Sequence, residues 1–184
     1  MNKLIITVDG PAASGKGSLS KKISEEFNLF YMETGIYYRG FASLFYQNQV
    51  KILDLPAFIS KLNIANFEKY ITNNNKKLFS IKVTKLASNL AKNKAVRTFI
   101  VQIQQDMIMT LGKKFNGIIL EGRDCGSVVA PKANLKLYLT ASLKVRAERR
   151  FNQLVKDKKD ISYEQVLSDL RERDVQDKNR KHSP

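Results

Sequence analysis

A strand that ends in a glycine-rich loop and runs straight into a helix restricts a fold more than any average over composition. Here that feature is LIITVDGPAASGKGSLSKKI, residues 4–23. LIITV, 4–8, is a short apolar, β-branched run bounded by Asp9-Gly10-Pro11, the pattern of a buried strand. Beyond the loop, Leu19, Ile23 and Phe27 recur at four-residue spacing, one face of a helix. Between them stands Gly10-x-x-x-x-Gly15-Lys16. Glycines let backbone amides turn toward phosphate oxygens, and the helix start adds the positive end of its dipole. The candidate phosphate-binding segment is therefore Gly10, Pro11, Ala12, Ala13, Ser14, Gly15, Lys16, Gly17 and Ser18, with Lys16 reaching the β and γ phosphates of a nucleotide. A plain glycine turn is the competing reading, and the strand before and helix after argue against it. Such loops usually carry Ser or Thr directly after the lysine. Here Gly17 stands there and the hydroxyl follows at Ser18.

The rest of the chain alternates strands and helices, which implies a parallel sheet covered on both faces. LFYM, 29–32, reads as a second strand, followed by a helix from about Gly35 into Phe45. Leu53-Asp54-Leu55-Pro56 opens a short helical stretch, Asn73–Lys77 reads as a polar loop, and Lys77–Thr84 as a strand. Residues 48–87 thus form an insertion between 1–47 and 88–184. A long helix is expected from about Ser88, with Val96, Phe99, Ile103 and Met107 at helical spacing and Gly112 as its C-cap. GIILE, 117–121, is a third strand ending on a carboxylate, and LKLYLT, 135–140, a fourth. ASLKVRAERRF starts another helix. The last helix opens with a Ser162/Gln165 capping box and an Ile161/Val166 hydrophobic staple.

Several function classes drop out. No run of eighteen apolar residues is present to span a bilayer, and the apolar stretch after Lys3 is too short for a secretory signal. A single cysteine, Cys125, cannot form an internal disulfide, so a reduced cytoplasmic setting is the simple reading. The formal charge of +15 suggests anionic partners. The lysines are dispersed, with a modest cluster at Lys156, Lys158 and Lys159, and no aromatic residues interleave with them as in a single-strand binding platform. The arginines instead fall in or near motifs, where a planar fork can hold phosphate by two bonds. None of the Asn-Lys pairs, in NKLI, NKKL and NKAV, supplies the Asp of a guanine-binding clamp. His182, near the chain end, reads as a solvated tail residue and Cys125 as a small buried filler.

Lys-Gly-Ser after the loop resembles the nucleoside monophosphate kinases. DGPAASGKGS (9–18), METGIYYR (32–39), LEGRDCGSVVAP (120–131), RAERR (146–150) and RERDVQDKNRKHSP (171–184) together resemble bacterial cytidylate kinases, in the family's order along nearly the whole chain. The resemblance implies an α/β fold: a P-loop NTPase-type parallel sheet with helices on both faces, a small acceptor-binding insertion and a helical arginine lid at about 141–160. It implies ATP-dependent phosphorylation of CMP or dCMP with Mg²⁺, by a cytoplasmic monomer that binds neither nucleic acid nor membrane. Another P-loop kinase and a basic nucleic-acid-binding P-loop protein without turnover are the alternatives.

By the same resemblance Thr34, Arg39 and Arg123 approach the CMP phosphate, while Arg173 and Asp177 lie near the acceptor sugar and Arg180 closer to its phosphate. Ser88, Arg97 and Asp124 match the positions that read the cytosine. Glu121 and Ser18 face Mg²⁺, largely through water. Arg146, Arg149 and Arg150, at i, i+3 and i+4, share one helix face. With no acid paired to them, that face is expected to need an anion. In the family it closes over ATP, with Arg146, Arg150 and Arg173 stabilising the transferring phosphoryl group beside Lys16 and Arg123, and Arg149 binding the nucleotide. Glu33-Thr34 replaces the commoner Asp-Ser, and where many members have an Arg after Gln104, Gln105 stands here. The short insertion implies a reduced strand subdomain. Family members continue for several tens of residues after the Ser183-Pro184 dipeptide, so residues 1–184 are expected to supply an incomplete adenine surround.

Overall fold

The computed structural model describes residues 3–111, 114–156 and 160–179. Gly112, Lys158, Lys159, Arg180, His182, Ser183 and Pro184, to which the sequence assigns roles, lie outside them. The chain divides into two compact units, Met1–Met32 with Lys113–Pro184, and Glu33–Gly112. The expected 48–87 insertion falls inside the second.

The first unit is built on a four-stranded sheet in the order β2-β3-β1-β4, from β1 (Leu4–Asp9), β2 (Leu29–Glu33), β3 (Gly117–Gly122) and β4 (Leu135–Tyr138). β1 runs parallel to β3 on one side and to β4 on the other. Its apolar run is explained by burial on both faces: Val8, Ile119 and Leu120 are inaccessible, and Ile6, Val8, Leu29 and Ile119 form one core cluster. Register places Val8 opposite Glu121 and Asp9 opposite Gly122, so the carboxylate that ends β3 emerges beside the loop that leaves β1. Leu19 and Ile23 of α1 (Lys16–Glu26) pack on this cluster as their spacing requires. Phe27 does not: it is the helix's C-cap and 55% exposed.

Two antiparallel-packed elements of sequence complete this unit, α7 (Leu143–Lys156) and α8 (Tyr163–Asn179), which share a core of Ala147, Leu154, Val166 and Leu170. Ser162 caps α8 by accepting from the Gln165 amide at 3.1 Å. The Gln165 side chain does not reach back to the Ser162 N–H; its Nε2 donates forward to Asp169. Ile161 packs in the same cluster as Val166, as the staple predicts.

Between Gly35 and Leu111 the described residues form helices and turns, without the expected strand. α2 (Gly35–Gln47), α3 (Leu55–Lys61), α4 (Ile64–Asn74), α5 (Ile81–Leu90) and α6 (Lys94–Thr110) surround an aromatic core. Phe41 lies against Phe58 and Phe99, and Phe67 against Phe99 and Tyr37, with centroids 5.6–6.4 Å apart. Gly40 permits the close approach of α2 and α4, since a Cβ there would sit 2.6 Å from Ile71 Cγ1.

Three expectations need correction in this unit. The polar Asn73–Lys77 segment ends α4 and enters a 3₁₀ turn, Asn75–Phe79. The predicted strand at 77–84 is the end of that turn and the first turn of α5, where the Ser80 side chain accepts from the Val83 amide. The long helix begins at Lys94, not Ser88. Asn93 caps it by accepting from the amides of Ala95 and Val96, and Ser88 lies within α5. Capping side chains fix both boundaries and override a β-branched pattern.

Candidate active site

In the first unit, β1 hands the chain to a loop with a distinctive backbone. Gly10 has φ +149°, and a Cβ on it would lie 2.0 Å from the Leu139 carbonyl oxygen, so only glycine fits. Gly15, at φ +101°, starts α1. Ala13 takes φ +60° without being glycine.

Cationic side chains hold this loop by its carbonyls. Arg123 Nη1 donates to Gly10 O at 3.0 Å, Lys16 Nζ to Pro11 O at 3.0 Å, Arg146 Nη1 to Ala12 O at 3.3 Å and Arg149 Nη1 to Ser14 O at 3.0 Å. The lysine is buried, and its ammonium lies 3.5 Å from Glu121 Oε1. Burial pushes its pKa down to about 8. The positive charges of Arg123 and Arg173 push in the same direction, and Glu121 opposes them.

The geometry around Glu121 explains the displaced hydroxyl. Tyr31 donates to Glu121 Oε2 at 2.7 Å, and a Cβ at Gly17 would stand 3.3 Å from that oxygen and 3.7 Å from the phenol. The space usually filled by Ser or Thr is taken by this pair, and Ser18, one position on, is exposed.

Asp9 ties the segment after β3 to the loop. Its carboxylate, 8% exposed, accepts from the amides of Cys125 and Gly126 at 2.9 and 2.8 Å. Those residues begin a one-turn π-helix, Cys125–Val129, directly after Arg123 and Asp124. Cys125 is fully buried, as expected of a filler.

The arginine face of α7 is not free of acids. Arg146, 4% exposed, forms a two-pronged pair with Asp174 of α8, at 3.1 and 2.5 Å, and its Nε donates to Ala141 O. Arg150 donates to Gln153 at the surface. Arg123 lies 3.4 Å from Asp177. The structure therefore brings together Lys16, Glu121, Arg123, Arg146, Arg149, Arg173 and Asp177 around the loop. Sequence reading missed Asp9, Tyr31 and Asp174. The i, i+3 spacing of Asp174 and Asp177 on the last helix was the one local signal for the last of these.

In the second unit, Thr34 is buried and its carbonyl accepts from Gln104 Nε2 at 3.1 Å. Arg39 pairs with Glu33 at 3.0 Å and stacks over Phe79 at 4.6 Å, so it is not a plain surface residue. Arg97 is 6% exposed, with Nη1 3.5 Å from Ala91 O. Ser88 is half-buried.

A protein-family model described as Cytidylate kinase matches residues 6–184. This chain belongs to the cytidylate kinase family. The "Cytidylate kinase" of Bartonella tribocorum is 36% identical over 184 residues, which is 100% of this chain and 82% of that protein. That of Fusobacterium nucleatum is 34% identical over 100% of this chain and 85% of the relative. That of Mycoplasma capricolum is 38% identical over 100% and 84%. Membership in the cytidylate kinase family makes the protein a kinase of small-molecule nucleotides that uses ATP, and the loop geometry suits that donor. No helix among the described residues is long and apolar enough to cross a membrane.

Proposed function

We propose that the protein transfers the γ-phosphoryl group of ATP to CMP or dCMP, giving ADP and CDP or dCDP. The observation that carries this reading is the Lys16 ammonium. It is buried and held toward the loop, and burial first, then the charges of Arg123 and Arg173, lower its pKa against the pull of Glu121. Such a site suits an incoming polyphosphate, whose negative charge would favour the ammonium and attract the neighbouring arginines. In-line transfer asks for positioning and charge stabilisation more than for covalent chemistry. The acceptor is itself an anionic phosphate, so no general base is required.

Thr34, Arg39 and Arg123 hold the acceptor phosphate. Arg173, Asp177 and Arg180 serve its sugar and phosphate, and Ser88, Arg97 and Asp124 read the base. Neutral cytosine has an amino donor at N4 and acceptors at N3 and O2. Asp124 offers the acceptor for N4, and Ser88 and Arg97 offer donors. Mg²⁺ fits the Glu121 carboxylate, an oxygen donor of the type it prefers. Glu121 and Ser18 would hold it largely through water, with the nucleotide's own phosphates as further ligands. When bound, the ion would supply positive charge against the negative charge developing on the transferring phosphoryl group. The 48–87 segment acts as the acceptor-binding insertion and α7 as the lid, in a cytoplasmic monomer.

Coupled ADP release measured against a panel of monophosphates tests the reading. CMP and dCMP are expected to be preferred. A different preferred acceptor would replace the substrate assignment, and acceptor-independent behaviour would remove the kinase. Asp124→Asn keeps the shape but lets its amide turn an NH₂ toward an oxygen. It is expected to lower CMP turnover and to narrow the gap between CMP and UMP, since mismatched buried polar groups discriminate by roughly 1–3 kcal/mol each. A variant that keeps the wild-type preference shows that Asp124 does not read the base.

A further inference from the structure

We propose that Asp174 is a positioning residue for the ATP site: through Arg146 it fixes the peptide that joins Ala12 to Ala13 in the phosphate loop. The inference rests on reading that loop as the ATP site. Arg146 is 4% exposed and cannot exchange its partners for water. Its guanidinium spans three segments, donating to Ala141 O before α7, to Ala12 O in the loop, and by both terminal nitrogens to Asp174 on α8. Asp174 supplies the only negative charge among these partners, in the parallel two-bond geometry that fixes orientation as well as distance.

The bond to Ala12 O matters because a trans peptide is planar, with its carbonyl and amide pointing in opposite directions. Holding Ala12 O toward Arg146 directs the Ala13 N–H away from it. Ala13 has φ +60°, a conformation an L-residue adopts reluctantly, so this stretch of loop depends on an external hold. Arg149 holds Ser14 O in the same way, but from an exposed side chain. Arg146 therefore acts on transfer through the loop's shape, in place of the direct phosphate contact that the lid resemblance implies. Without Asp174 the buried cation loses its counter-charge and with it the reason to stay at Ala12.

The test compares Asp174→Asn with the double variant Arg146→Met/Asp174→Leu, using calorimetric titration with ADP. This readout does not depend on which acceptor the enzyme prefers. Absence of CMP turnover in the wild type would sink the kinase reading and leave this titration intact. Asp174→Asn is expected to raise the Kd for ADP roughly tenfold, the scale of one charge-assisted hydrogen bond, and to lower Tm. Replacing a buried ion pair by apolar residues of similar volume commonly restores stability. The double variant is expected to regain Tm yet keep the weakened ADP affinity, because Ala12 O still lacks its donor. Wild-type ADP affinity in either variant would overturn the proposal and reduce the pair to a structural one. Where Asp174→Asn does not fold, the double variant decides alone.

Discussion

Lys16 differs from the other lysines of the described chain in being buried, and its chemistry follows from that. Its pKa stands at about 8, below the ordinary 10.5. Between these values the unfolded chain holds the proton and the folded chain does not, so this group makes stability rise with pH across that window. Nucleotide binding has the opposite sign. A polyphosphate favours the ammonium, so ADP binding takes up a proton above about pH 8 and weakens as pH climbs further. Titration in two buffers of different ionisation heat at alkaline pH measures that uptake directly. It is expected in the wild type and absent in Lys16→Ala. The same variant should lose turnover by about a hundredfold, typical of one electrostatic contact to the transferring group, without losing Tm, because a buried charge has been removed. A wild type that binds ADP with no proton uptake would place Lys16 away from the phosphates.

At the scale of elements, Asp9 joins the end of β1 to the π-turn at Cys125–Val129 by two buried amide bonds. An amide in its place accepts one such bond and sets an NH₂ against the other N–H. Asp9→Asn should therefore destabilise by roughly 1–3 kcal/mol, the range for a buried group left unpaired. Urea unfolding checks this, and an unchanged midpoint would mean the segment after β3 is held by other contacts. The contrast with neighbouring elements shows what sequence can and cannot carry. β1, the loop and α1 were legible because a β-branched run, a glycine spacing and a four-residue periodicity all act locally. β3 was legible because it closes on Glu121. The 77–84 stretch was misread because Phe79, Ile81 and Val83 alternate with Ser80, Lys82 and Thr84 as in a strand. Its fate is decided by Leu78, Ala87 and Leu90 becoming buried and by the Ser80 cap. Arg146 and Asp174 are 28 residues apart on two helices, and no local pattern announces that they meet. The arginine face looked unpaired for that reason.

Across the whole molecule, the two kinds of cation are placed differently. Among the described residues the lysines other than Lys3 and Lys16 are exposed, whereas Arg97 and Arg146 are buried and Arg39, Arg123, Arg150 and Arg173 half-buried. The net charge of +15 is therefore mainly a surface field, distinct from the arginines that make specific contacts. A surface field acts on encounter, attracting anionic nucleotides over distances comparable to the Debye length, and contributes little once the substrate is bound. Raising KCl from about 0.05 M to about 0.5 M shortens that length several-fold. The expected result is a severalfold fall in kcat/KM for CMP with kcat held within about twofold, since the contacts made at transfer are the partly buried arginines and Lys16. The same field gives any polyanion a weak, salt-sensitive hold on the protein. Single-stranded DNA should then inhibit at low salt and lose its effect at high salt, while CMP turnover persists. DNA binding that survives high salt, together with acceptor turnover that does not, would favour a nucleic-acid-binding protein over a nucleotide kinase.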